Sequence, residues 1–240
     1  MANWITHTFL AETLLMQGLP LDKRGFCIGN IAPDCNVENA DWSVFTPPRE
    51  VTHWMTGTSK LTSDYEGFYR KYIDKNQLQC SEEFSFFWGY YCHLITDVLY
   101  QKFVRDPDRI SACFRRLFKL NSNTVQLPDS PQTFDTLKKI FGKKRIFQDI
   151  EILENNIIFD NPDCAYNQVL RNTYSFPDYL SILPSGSIAR KIPRMTYNVN
   201  ERFPEVDLIF FTQEEYQRFL LYAVSELHEI LKAKGAYALK

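Results

Sequence analysis

Residues 82–104 read EEFSFFWGYYCHLITDVLYQKFV, and this stretch decides the fold class. Ser81 stands before it as a helix N-cap. Phe84, Phe87, Trp88, Tyr91, Leu94, Ile95, Val98 and Leu99 spread around the helix that the stretch would form. A helix apolar nearly all round is buried, so the spacing predicts a central helix enclosed by others. His93 and Asp97 stand four apart and project from one face of it, one turn above the other. Gly89 lies a turn earlier on the same stripe. It costs about 1 kcal/mol in helix propensity and lets another backbone or a ligand come close. Burying Asp97 costs several kcal/mol unless something positive compensates. No Lys or Arg occurs between Lys75 and Lys102, so the cation has to come from elsewhere. An imidazole and a carboxylate at this spacing can grip one divalent ion, although an isolated pair of this kind is ordinarily a simple hydrogen bond.

Outward from this helix, further helix signals dominate. Asn3 or Thr6 can cap a first helix carrying His7, Leu10, Ala11, Leu14 and Leu15. Asp106-Pro107 opens a run through Lys119, Ser130-Pro131 one ending near Gly142, and Asn161-Pro162 one fading near Asn172. Thr212 and Glu215 form a capping box before a run from Gln213 to Lys234 that Gly235 closes. Residues 34–52 and 181–211 resist assignment. The second mixes Pro184, Gly186, Pro193 and Pro204 with extended pieces such as Val206 to Phe211, and reads as a long loop, a small hairpin or a lid. The expectation is an all-α fold, one domain over residues 1–240, with an irregular segment near 181–211.

The chain has 240 residues, enough to bury a real core, with 45% apolar, 23% charged and 15% aromatic residues. A formal charge of −2 gives no global attraction for nucleic acid or anionic membranes. The N-terminus lacks the regions of a secretory signal, and no apolar stretch approaches a membrane-spanning length. The six cysteines (Cys27, Cys35, Cys80, Cys92, Cys113, Cys164) form no CxxC pair. Reduced, mostly buried thiols in a cytoplasmic protein are the plain reading.

Only four histidines occur, three of them within the first hundred residues. His7 lies on the apolar stripe of the first helix, a place more often filled by a satisfied core histidine. His53 follows Val51-Thr52 in a segment opened by Pro47-Pro48. Asp34 ends Gly29-Asn30-Ile31-Ala32-Pro33-Asp34, where proline forces the chain out of helix, and it reads equally as a turn former. His228 shares a helix face with Leu221, Val224 and Leu231.

In order, Thr6-His7, Gly29 to Asp34, Thr52-His53-Trp54 and Gly89 to Asp97 resemble the zinc-dependent phospholipase C family, of phospholipase C/P1 nuclease-like fold. The resemblance covers about the first hundred residues. It implies a multi-helix bundle in which Asp34, His53, His93 and Asp97 ligate one zinc, with Asp97 bridging to a second ion on His7. Manganese or iron would accept the same donors. It implies metal-assisted hydrolysis of a small-molecule or lipid-derived phosphoester, with Asp34 as the catalytic group acting on the metal-bound water. The chain departs from the family at two places. Trp4 is internal, whereas secreted members ligate metal through an N-terminal Trp. No histidine follows Asp97 before His228, so one or two ions are expected rather than three, with His228 an additional candidate. The ligand losses leave open a metal-stabilised binding or structural module without catalysis.

Overall fold

The computed structural model describes residues 2–74, 81–120, 131–204 and 208–239. The expected fold class is borne out: the described elements are helices, apart from one short antiparallel pair. Helix α1 (Trp4–Met16) is followed by α2 (Lys23–Gly29) and a 3-10 turn at Ala32–Asp34. Strands β1 (Val37–Glu38) and β2 (Phe45–Thr46) form a hairpin before α3 (Arg49–Thr52), a 3-10 turn at Lys60–Thr62 and α4 (Tyr65–Tyr72). Then come α5 (Glu82–Val104), α6 (Pro107–Leu120), α7 (Phe134–Phe141), α8 (Lys143–Asp160), α9 (Ser187–Met195) and α10 (Gln213–Ala233).

The central helix is α5. It is buried without interruption from Phe84 to Tyr100, as its all-round apolar surface requires. Ser81 caps it by accepting from the Phe84 amide at 3.1 Å. Helix α2 crosses it at backbone contact. A Cβ on Gly29 would meet the Phe86 carbonyl at 2.1 Å, and one on Gly89 the Phe26 carbonyl at 2.2 Å. The approach at Gly89 expected from the sequence is therefore by another backbone. Aromatic rings fill the far side of α5, among them Phe68 stacked on Tyr90 at 4.6 Å and Tyr72 on Phe87 at 5.3 Å. Offset or parallel ring pairs of this kind add to area burial.

Several ends fall where the capping residues put them. Asp106 accepts from Arg109 at 2.8 Å, and the Thr212–Glu215 capping box is formed. Gly235 takes a left-handed φ of 80°. Other expectations need correction. Asn3 is the N-cap of α1 by position, but its amide donates to Glu154 instead of capping. Ser130 lies outside the described residues, and Thr133 caps α7. The helix expected after Asn161-Pro162 is only a wide turn at Tyr166–Leu170, because Asn161 ends α8. Within 181–211, residues 187–195 form α9 despite Pro193. Its basic side chains hold it to the hairpin: Arg190, Lys191 and Arg194 all reach the Glu38 carboxylate, at 2.9, 2.6 and 2.8 Å. Val206 and Cys80 lie outside the described residues, and the other five cysteines are free thiols.

Candidate metal centre

Three backbone devices aim the ligand candidates. The close crossing of α2 on α5 puts the Asn30 carbonyl beside His93, whose Nδ1 donates to it at 2.7 Å. Tyr90, one turn before His93, donates its hydroxyl to the Thr52 carbonyl and so fixes the segment carrying His53. His53 Nδ1 lies 3.2 Å from the Arg49 carbonyl and 3.0 Å from Thr52 Oγ1. Pro33 ends the helical run at the 3-10 turn and swings Asp34 toward both rings. In both histidines Nδ1 is committed to a backbone carbonyl, which turns Nε2 inward.

The inward atoms converge. His53 Nε2 stands 3.3 Å from His93 Nε2, 3.2 Å from Asp34 Oδ1 and 3.5 Å from Asp97 Oδ2. His93 Nε2 lies 3.2 Å from Asp97 Oδ2. Atoms held about 2.0–2.1 Å from a zinc ion at tetrahedral corners are about 3.3–3.4 Å apart, and these four separations lie near that value. A neutral ring with Nδ1 as donor presents only a lone pair at Nε2. Two such lone pairs facing each other between carboxylates repel, and a shared cation relieves them. Burial, with the Lys60 charge, pushes His53 down to about 4, so its ring is neutral at ordinary pH. Burial opposes ionisation of Asp34 and Asp97, but the neighbouring positive charge, Lys60 foremost, holds both well below the usual carboxylate range.

His7 lies on the other side of His93, the two rings stacked at 3.9 Å. Burial, followed by the neighbouring His93, lowers its pKa well below the ordinary value. Both His7 nitrogens and Asp97 Oδ1 are buried and have no hydrogen-bond partner among the described residues. Unpartnered buried polar atoms are costly, and these belong to one group: His7, His93 and Asp97 offer ligand atoms within 4.8 Å of one another. Asp34, His53 and His93 form a second such group. The fold thus brings together five of the six sequence candidates. His228 packs its ring against Tyr237 at 4.6 Å and joins neither group.

Lys60 belongs to the site and escaped sequence reasoning. Its ammonium is buried against Asp97 Oδ2 and lies 3.9 Å from Asp34 Oδ1. This is the cation demanded by the buried Asp97. It comes from a loop between Trp54 and Asp64, whose ends are tied by the Asp64 amide to the Trp54 carbonyl at 2.7 Å. A lysine in a polar stretch carries no periodic signal of burial; only the missing charge near Asp97 announced it.

Among the described residues of the centre, Asp34 is the one that meets an open cleft. The side chains of His53, His93 and Asp97 are at most 2% exposed, whereas Asp34 is 17% exposed and lines a cleft of about 730 Å³ between the hairpin, α1, α8 and α9. Among the described residues no helix is long and apolar enough to cross a membrane. No curated protein and no solved structure matches the chain. Residues 6–100, which hold all five converging candidates and Lys60, match the family model described as zinc dependent phospholipase C, so over this stretch the chain is similar to that family.

Proposed function

We propose that this protein is a zinc-dependent phosphoesterase acting on a small or lipid-derived phosphoester. The observation carrying this reading is the four-atom set of Asp34, His53, His93 and Asp97, buried except where Asp34 meets the cleft. Two imidazoles and two carboxylates suit zinc. When bound, the ion would supply a water of lowered pKa and positive charge for the phosphoryl oxygens. His53 and His93 would turn Nε2 toward it, their rings oriented by the Arg49 and Asn30 carbonyls at Nδ1. Asp34 Oδ1 faces the rings, which leaves Oδ2 to orient the attacking water and take its proton. Lys60 adds a fixed positive charge beside both carboxylates.

One tightly held ion is the reading we favour. Among the described residues, His7 and Asp97 Oδ1 are the atoms of the second group that the first ion would leave free, so a second ion would bind more weakly. The five free cysteines suit a cytoplasmic setting, and the continuous core suits one domain. The test is Asp34→Asn. Zinc content should stay near the wild-type level while hydrolysis on a panel of phosphomonoesters and diesters falls by about 10²–10⁴-fold. Retained turnover would remove Asp34 as the base. A second reading, a metal-stabilised module without catalysis, draws on Lys60, whose ammonium already balances both carboxylates. Stoichiometric zinc with no turnover on any substrate would favour it.

A further inference from the structure

The cleft outside Asp34 has a charge arrangement that the metal centre does not explain. Arg49 from α3 and Lys143 and Lys144 from the start of α8 line it together, and none of the three forms an ion pair among the described residues. After burial itself, the charges of Arg49, Lys138 and Lys60 help lower the Lys143 pKa. Like charges converging without a carboxylate between them repel, and an anion is what such a group is suited to hold. The cleft's acidic side chains are Asp34, which faces the metal centre, and Glu151, two turns further along α8. Its remaining cation, Lys191, is already committed to Glu38 at 2.6 Å.

Beyond the cations the walls are apolar and aromatic, with Phe147, Tyr166, Met195 and Tyr197 among them. A cationic head group would need free aromatic faces. Of the cleft's rings, Trp42 and Phe45 each already have one face taken by the Lys191 ammonium, 4.6 and 5.3 Å from the ring centres. Arg49 lines the same cleft as Asp34, and its backbone carbonyl accepts from His53, so one short helix serves both the cleft and the metal centre.

We propose that this cleft selects a phosphoester whose phosphate carries two negative charges and whose remainder is apolar, with Arg49 and Lys143 recognising the second charge. This rests on the phosphoesterase reading for its location, but it concerns binding and is tested without turnover. The probes are phenylphosphonate, at a pH where it is a dianion, and its monomethyl ester, which bears a single charge. Calorimetric titration of the zinc-loaded protein should show the dianion binding about tenfold or more tighter than the ester. Arg49→Gln and Lys143→Gln should each weaken the dianion about tenfold and the ester less than about threefold, with zinc content unchanged. Arg49→Gln retains the backbone carbonyl that His53 needs.

Equal affinity for the two probes, an equal loss for both in the variants, or no binding of either at millimolar concentration would overturn the proposal. So would phosphocholine binding as tightly as phenylphosphonate. Dianion selectivity in a protein that hydrolyses no phosphoester would sink the hydrolase reading and leave this one standing.

Discussion

At Lys60 an ammonium group is buried against two carboxylates, and its removal has opposite consequences with and without metal. In Lys60→Met, Asp97 and Asp34 lose the one lysine partner they have among the described residues, and breaking such a buried pair costs about 3–5 kcal/mol. The metal-free protein should therefore melt well below wild type. Zinc restores the missing charge, so the rise in Tm on zinc addition should be larger in the variant than in wild type. Thermal melts with chelator and with zinc check this, and an equal or smaller rise would show that Lys60 does not serve as the counter-charge. His93 and Asp97 were legible from helix spacing and from the cost of burying a carboxylate. Asp34 and His53 were not legible singly, since a residue after proline and a histidine in a short loop each have commoner explanations. Their order along the chain, matched to the pattern of the family it resembles, is what singled them out. Lys60 lay outside the reach of any pattern, because its burial comes from a loop folding onto α5.

Helix contacts set the geometry of the centre, and α2 against α5 is the sensitive one. Gly89→Ala would drive a methyl group into the Phe26 carbonyl, where an added Cβ falls at 2.2 Å. Backbone cannot give way as a flexible side chain does, so we expect about 1–3 kcal/mol of destabilisation, or more. The displaced α2 would also lose the Asn30 carbonyl from His93, so zinc affinity should fall in the same variant. Wild-type zinc affinity in a destabilised Gly89→Ala would separate the two effects and contradict this coupling. A second seam joins α1, α8 and α10. There Glu154 accepts from Thr6 and Asn3, and burial raises its pKa from 4.5 to about 7 despite those bonds. With the folded value above the unfolded one, its stabilising contribution is fully present below about pH 4.5 and is lost as pH rises to about 7. Glu154→Gln keeps the neutral shape, so denaturant melts should show its stability relative to wild type rising across that window and level above it. A difference independent of pH would mean that Glu154 is ionised throughout. Periodicity and capping made α1, α5, α6 and α10 legible. They failed at α9, because Gly186 and Pro193 read as breakers while the grip on Glu38 holds the helix in place.

Across the described residues one continuous core, running from Ala2 to Ala236, supports a centre whose ligand candidates come from α1, the Ala32–Asp34 turn, the segment after α3, and α5. Such a site contributes to folding when loaded, so chelation should lower Tm and readdition of zinc restore it. The core was legible as all-helical because the apolar surface of α5 needs partners on every side. The cleft was not, since its walls come from the hairpin, α1, α8 and α9, which are far apart in sequence and meet only in the fold. The central claim is that Asp34, His53, His93 and Asp97 hold one zinc ion. The most direct measurement is an anomalous difference map from crystals of the zinc-loaded protein, collected at the zinc absorption edge. The account predicts a strong peak about 2.0–2.2 Å from Nε2 of His53 and His93 and from a carboxylate oxygen of Asp34 and Asp97. No peak there, with Lys60 still bridging the two carboxylates, would contradict it.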